Sequence, residues 1–149
     1  MPGLDDLYRD IILDHSRSPR NQGALPSPPA HQSTGYNPLC GDEITVYVNL
    51  EGEGDDQVVT EVTFVGQGCS ISQSSASMMT NAVMGKTRAE IDALTRRFKS
   101  MMSIETDAGA DSSVRLGDLQ ALEGVNQFPV RIKCATLAWN TLAEAIEQS

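Results

Sequence analysis

Ile44-Thr45-Val46-Tyr47-Val48-Asn49-Leu50 and Val58-Val59-Thr60-Glu61-Val62-Thr63-Phe64-Val65 are the two runs whose reading decides the fold. In the first, Ile44, Val46, Val48 and Leu50 alternate with Thr45, Tyr47 and Asn49, which predicts a strand with one buried and one wetter face. The second returns with Thr60, Val62 and Phe64 on one side. Gly52-Glu53-Gly54-Asp55 lies between them. Two β-rich runs joined by a short glycine-containing turn predict a hairpin.

On the C-terminal side the period changes to that of helices. After Cys69, the residues Ser75, Met78, Met79, Ala82 and Val83 share a helical face, and Gly85 ends that helix. Thr87 with Glu90 forms a capping box that starts the next helix, predicted to run to about Ile104. A polar loop through Asp107-Ala108-Gly109-Ala110-Asp111-Ser112-Ser113 follows, then a short helix around Asp118 to Glu123. The last helix starts at Pro129, a good first-turn residue, and carries the stripe Val130, Cys134, Leu137, Ala138, Leu142, Ala145 and Ile146.

On the N-terminal side, Leu4, Leu7, Tyr8, Ile11 and Ile12 give an amphipathic first helix, with Asp5 and Asp6 at the positive end of its dipole. Ser16 to Leu39 holds five of the seven prolines, which predicts a long irregular connection containing one short strand near His31 to Tyr36. Strands followed by helices define an α+β fold, a small antiparallel sheet of about three strands covered by helices. Residues 1–149 read as one domain without internal repeats.

A net charge of −9 argues against nucleic acid, because phosphate binding needs a basic footprint. The basic cluster Arg96, Arg97 and Lys99 reads as a solvated helix face. Nothing in the chain resembles a membrane span or a signal peptide. Three cysteines cannot all pair with one another, so a reducing, cytoplasmic setting with thiols kept for metal or chemistry is expected.

Each cysteine stands where a thiolate is useful. Cys40 lies in a turn with Asp42 close behind, so both side chains can converge on one ion; the alternative is an exposed thiol beside an ordinary turn aspartate. Cys69 opens a helix, where the dipole favours the thiolate; the alternative is a small buried residue at a strand end. Gly66 and Gly68 precede it, but Ile71 stands where a dinucleotide loop needs its third glycine, and no βαβ pattern surrounds them. Cys134 falls on an apolar stripe, so its alternative is a packed core residue. Arg131, one turn earlier, is either a neighbour of the same site or a surface arginine. His15 and His31 lack ligand-like spacing, and the serines between residues 70 and 77 read as small packing residues. Three sulfurs plus one carboxylate suit tetrahedral zinc, and a metal–thiolate site leads these alternatives.

Three segments in order carry a family resemblance: Asn37-Pro38-Leu39-Cys40-Gly41-Asp42, then Gly66-Gln67-Gly68-Cys69-Ser70-Ile71-Ser72 with Met78-Met79, then Phe128-Pro129-Val130-Arg131-Ile132-Lys133-Cys134 with Leu137 and Trp139. Together with Leu7 to His15 they resemble the IscU/NifU N-terminal proteins of iron–sulfur cluster assembly. The chain is most similar to the SufU branch, because Lys133 replaces the histidine that ligating scaffolds carry before the third cysteine. Extra residues around Lys99 to Leu119 point the same way. The resemblance implies an IscU/SufE-like fold and one zinc ion held by Cys40, Asp42, Cys69 and Cys134. It implies a pyridoxal-phosphate cysteine desulfurase of the SufS type as partner, ahead of downstream iron–sulfur assembly proteins. Cys40 is then the sulfur acceptor, with Arg131 assisting rearrangement at the metal. On this expectation a ligand exchange at docking frees the Cys40 thiolate to take the sulfur. The other function implied is a scaffold on which iron, or a transient [2Fe–2S] cluster, is held by the same cysteines.

Overall fold

A computed structural model of the chain describes residues 2–26, 30–38, 41–102 and 116–147. The elements are α1 (Pro2–Arg17), β1 (His31–Asn37), β2 (Asp42–Glu51), β3 (Val58–Gln67), α2 (Ser70–Val83), α3 (Arg88–Met101) and α4 (Pro129–Glu147), with 3₁₀ segments at Gly54–Asp56 and Gly117–Gln127. The strands form one antiparallel sheet in the order β1-β2-β3. Against it lies α4, which contacts β1 and β2; α2 packs on α4 and β3, and α1 packs on α2. The fold is α+β, as the strand-then-helix order of the sequence requires.

The alternation in β2 is strict: Asp42, Ile44, Val46 and Val48 are buried and the residues between them are wetter. The β3 pattern corrects the expected one. Register shifts between Asn49 and Leu50, so Asn49 faces Glu61 whereas Leu50 faces Val59. Thr60 is the unpaired extra residue of a bulge. It points to solvent instead of joining Val62 and Phe64, and Val59 is fully buried in its place. The bulge forfeits regular pairing at one position, worth about 1 kcal/mol, and buries a valine, worth about 1.5–3 kcal/mol. Thr60 recovers part of the loss by donating its hydroxyl to the Asn49 carbonyl at 3.2 Å.

Helix starts follow local chemistry. The Thr87 hydroxyl accepts from the Glu90 N–H at 3.1 Å, and the Glu90 carboxylate accepts from the Thr87 N–H at 3.0 Å. The bond from the Thr87 backbone, then that from its side chain, holds the Glu90 carboxyl below its ordinary value. Arg20, by hydrogen bond and charge, does the same to Asp14. The α3 helix closes at Met101 with Met102 as its C-cap; Ile104, the predicted end, and the polar loop at 107–113 lie outside the described residues. Ile11 and Ile12 of the predicted α1 stripe pack against the core; the side chains of Leu4, Leu7 and Tyr8 are not among those described.

The expected short helix after that loop is a 3₁₀ segment longer than usual, Gly117–Gln127. Leu116, Leu119, Leu122 and Val125 are all buried, and their spacing of three residues matches the 3₁₀ turn rather than the α turn. On α4 the stripe from Cys134 to Ile146 is buried, but Val130 is exposed, because it stands in the first turn, beyond the edge of the core. Trp139 stacks on Phe98 of α3 with ring centroids 5.0 Å apart, which joins α3 to α4.

Candidate metal centre

Strand parity, a helix start and a helix interior converge at one end of the sheet. Asp42 is the first inward-facing residue of β2, in line with Ile44 and Val46, and only 2% of it is exposed. Cys69 is the N-cap of α2, and its N–H donates to the Asp42 Oδ1 at 2.9 Å. Asp42 therefore caps α2 from another strand, a task the Cys69 side chain does not perform. Cys134 is fully buried on α4. One carboxylate oxygen of Asp42 and the sulfurs of Cys69 and Cys134 all lie within 4.8 Å of one another.

Glycines allow this approach. A side chain on Gly66 would run into the Glu43 carbonyl of β2, and one on Gly68 would run into the Asp42 carboxylate and the Ser72 hydroxyl. The pair serves close packing of β3 and α2 on β2, consistent with their rejection as a nucleotide loop.

The donor set fits a cation on a structural criterion. A buried carboxylate needs a compensating positive charge, and among the described residues Asp42 has no ion-pair partner. What faces it instead are two cysteine sulfurs. Tetrahedral zinc with bonds near 2.0–2.3 Å sets its ligand atoms roughly 3.3–3.8 Å apart, within reach of small side-chain adjustments here.

Of the residues expected at the site, Asp42, Cys69 and Cys134 come together, and Cys40 lies outside the described residues. Arg131 is exposed in the first turn of α4, three residues before Cys134 and so on a neighbouring face. Lys133 lines an open cleft of about 360 Å³ with Tyr36, Asn37, Pro38, Thr136 and Leu137. Tyr36, Phe128 and Val130 are large apolar side chains left 66%, 58% and 51% exposed. They stand on the two segments that carry Asn37 and Cys134.

Sequence reasoning passed over Asn37. It is buried, and its Nδ2 donates to the Cys134 sulfur at 3.4 Å. The inward parity of β1, with Tyr36 turned out and Asn37 in, was the available signal. The α2 serines also do more than pack. The Ser75 hydroxyl donates to the Ala135 carbonyl at 2.5 Å, and that of Ser72 to the Cys69 carbonyl at 3.2 Å. Ser77 accepts from the Arg20 N–H at 2.8 Å and meets the buried His15 Nδ1 at 2.7 Å. The other His15 nitrogen lies 3.0 Å from the Asp118 carboxylate. His15 thus clamps α1, α2 and the 3₁₀ segment together, and it is not one of the clustered donors.

Comparison with known proteins agrees with this architecture. The profile of the NifU-like N terminal domain family matches residues 7–135. The chain therefore belongs to that family. It is 43% identical to the zinc-dependent sulfurtransferase SufU of Bacillus subtilis, covering 96% of this chain and 91% of that protein. It is 41% identical to the iron–sulfur cluster assembly scaffold protein IscU of Streptococcus pyogenes serotype M1, covering 98% and 86%. Among solved structures, FiSufU of Fervidobacterium islandicum AW-1 superposes with a TM-score of 0.78 at 33% identity, over 97% of this chain and 99% of that one. A nitrogen-fixing NifU-like protein (N-terminal) from Brucella abortus gives the same TM-score at 28% identity, over 97% and 95%.

Proposed function

We propose that this chain serves iron–sulfur cluster assembly as a zinc-dependent sulfurtransferase, taking sulfur from the persulfide of a pyridoxal-phosphate cysteine desulfurase of the SufS type. The observation that carries the reading is the buried Asp42 carboxylate, which faces the Cys69 and Cys134 sulfurs and has no ion-pair partner among the described residues. Cys40, Asp42, Cys69 and Cys134 would hold the zinc. Covalent reach alone keeps the Cys40 α-carbon within about 7.6 Å of that of Asp42. Bound zinc supplies a redox-inert charge that keeps thiolates deprotonated at neutral pH.

The covalent step belongs to Cys40. Its thiolate attacks the outer sulfur of the partner's persulfide, a new S–S bond forms to Cys40, and the old one breaks. Cys40 then carries the persulfide, the desulfurase cysteine leaves as thiolate, and no net oxidant is needed. The Asp42 carboxylate holds Cys69 at the α2 N-terminus through the Cys69 N–H. Tyr36, Phe128 and Val130 are exposed apolar side chains available to a docking partner. Arg131, on the α4 turn before Cys134, is the candidate to pair with negative charge during transfer. No helix of the described residues is long and apolar enough to cross a membrane.

A scaffold role is the second reading. It is favoured by a Streptococcus pyogenes relative of nearly equal identity that bears the scaffold name, and by the affinity of cysteine thiolates for iron–sulfur clusters. Lys133 counts against it, since an ammonium offers no lone pair to a metal.

The zinc-loaded chain should accelerate multiple-turnover cysteine desulfuration, with persulfide recovered on Cys40. The acceleration should vanish in Cys40→Ala, and zinc content should fall in Cys69→Ser. Equal zinc in Cys69→Ser and the parent would remove the site assignment. Unchanged desulfurase turnover, with an iron form that donates a cluster to an apo-acceptor, would put the scaffold reading first.

A further inference from the structure

We infer that Asn37 is a positioning residue of the metal centre, its carboxamide N–H orienting the Cys134 sulfur and spreading the charge it carries as a thiolate ligand. The inference rests on the metal site proposed above and concerns a residue that donates no ligand atom of its own.

Backbone geometry puts Asn37 there. Gly35 lets β1 lie directly on α4, since a side chain at that position would meet the Thr141 hydroxyl and, at 3.0 Å, the Leu137 Cδ1. Going on from Gly35 to Asn37 advances the strand by about 6.6 Å. Going back along α4 from Leu137 to Cys134 covers about 4.5 Å. The two residues meet at the end of the sheet, where the Asn37 Nδ2 lies 3.4 Å from the Cys134 sulfur in a buried contact. Asn37 is also the register partner of Asp42. One strand pair therefore fixes both the carboxylate and the amide that flank the site.

The chemistry is directional. The Cys134 sulfur also lies 3.8 Å from the Val130 carbonyl, an acceptor suited to the S–H of the neutral thiol. As a thiolate metal ligand the sulfur would be an acceptor only. The Val130 contact then ceases to be favourable, and the Asn37 N–H becomes a charge-assisted donor. A site with several thiolates and a carboxylate concentrates negative charge, and an N–H directed at one sulfur spreads part of it. Partners of this kind are worth 10–100-fold in metal affinity.

The test is zinc affinity by chelator competition, with cobalt(II) as a spectroscopic probe, on the full chain and its variants. Asn37→Ala should weaken zinc by about tenfold or more and move the sulfur-to-cobalt charge-transfer band to lower energy, because the sulfur regains electron density. Asn37→Asp, almost the same shape, should weaken zinc further by placing an acceptor against the thiolate. Asn37→Ser, which restores a hydroxyl donor, should recover part of the loss. Circular dichroism and thermal unfolding of the metal-free forms identify any variant that fails to fold; Asn37→Ser and Asn37→Asp then decide between them. A purely space-filling Asn37 predicts equal zinc affinity and an unmoved band in Asn37→Asp, and that result overturns the inference while leaving the metal site intact. A parent chain that binds neither zinc nor cobalt overturns the metal site itself.

Discussion

Gly68→Ala tests how tightly the centre is built. Gly68 has φ +155, and an added Cβ would lie 2.6 Å from the Ser72 hydroxyl oxygen, 2.9 Å from the Asp42 Cγ and closer still to the Asp42 Oδ1. Gly23 has nearly the same backbone, φ +148, with nothing within 4 Å of an added Cβ. Both substitutions therefore carry a backbone strain of about 1–3 kcal/mol, and only Gly68→Ala also displaces a side chain. The displaced group is the Asp42 carboxylate, whose bond to the Cys69 N–H is of the charged kind, worth about 1.5–3 kcal/mol. Gly68→Ala should thus be less stable than Gly23→Ala by about that amount, or about 3–12 °C in melting temperature for a chain of this size. Urea unfolding in the presence of a chelator measures this without a metal contribution. In an Asp42→Ala background the excess cost should shrink toward zero. Equal losses in the two alanine variants, within about 0.5 kcal/mol, would refute the claim that Gly68 exists to admit the carboxylate.

His15→Ala removes a buried ring bonded to Ser77 and near Asp118, and should cost about 2–4 kcal/mol in urea unfolding. Asp118→Asn should cost under about 1 kcal/mol, because Asp118 is 61% exposed; a larger effect there than at His15 would misplace the clamp. Glu90→Gln should be less stable than the parent near neutral pH. The folded Glu90 carboxyl titrates below its ordinary value of 4.5, so its contribution is present above that value and is lost as the pH falls through the folded one. The gap between the two proteins should close in acid, and a gap independent of pH would contradict the capping-box origin of the shift.

The hairpin and the capping box at Thr87 and Glu90 could be read from the chain, because each depends on local periodicity or on a motif, whereas the gathering of Asp42, Cys69 and Cys134 was implied by the family resemblance. What could not be read depends on partners distant in sequence. Thr60 and Val59 exchange faces only because β2 imposes a bulge on β3, which a strict period of two hides. Leu116, Leu119, Leu122 and Val125 do carry a period of three, yet a short helix was the natural reading until their burial revealed the 3₁₀ turn. His15 and Ser77 stand 62 residues apart, and no local rule links them. Asn37 was hidden by its neighbours: an asparagine before a proline reads first as a turn residue.

Asp42 shares its row with Ile44, Val46 and Val48, the apolar face of β2. One parity therefore governs both core and chemistry. Inserting or deleting a single residue between Asp42 and Ile44 would rotate the carboxylate to the opposite face while the valines held theirs. A pair of residues would restore its direction but move it along the strand, away from Cys69. Length change in this strand thus costs either the buried row or the carboxylate's place beside Cys69. The spacing from Asp42 to the core row is therefore set by the strand itself.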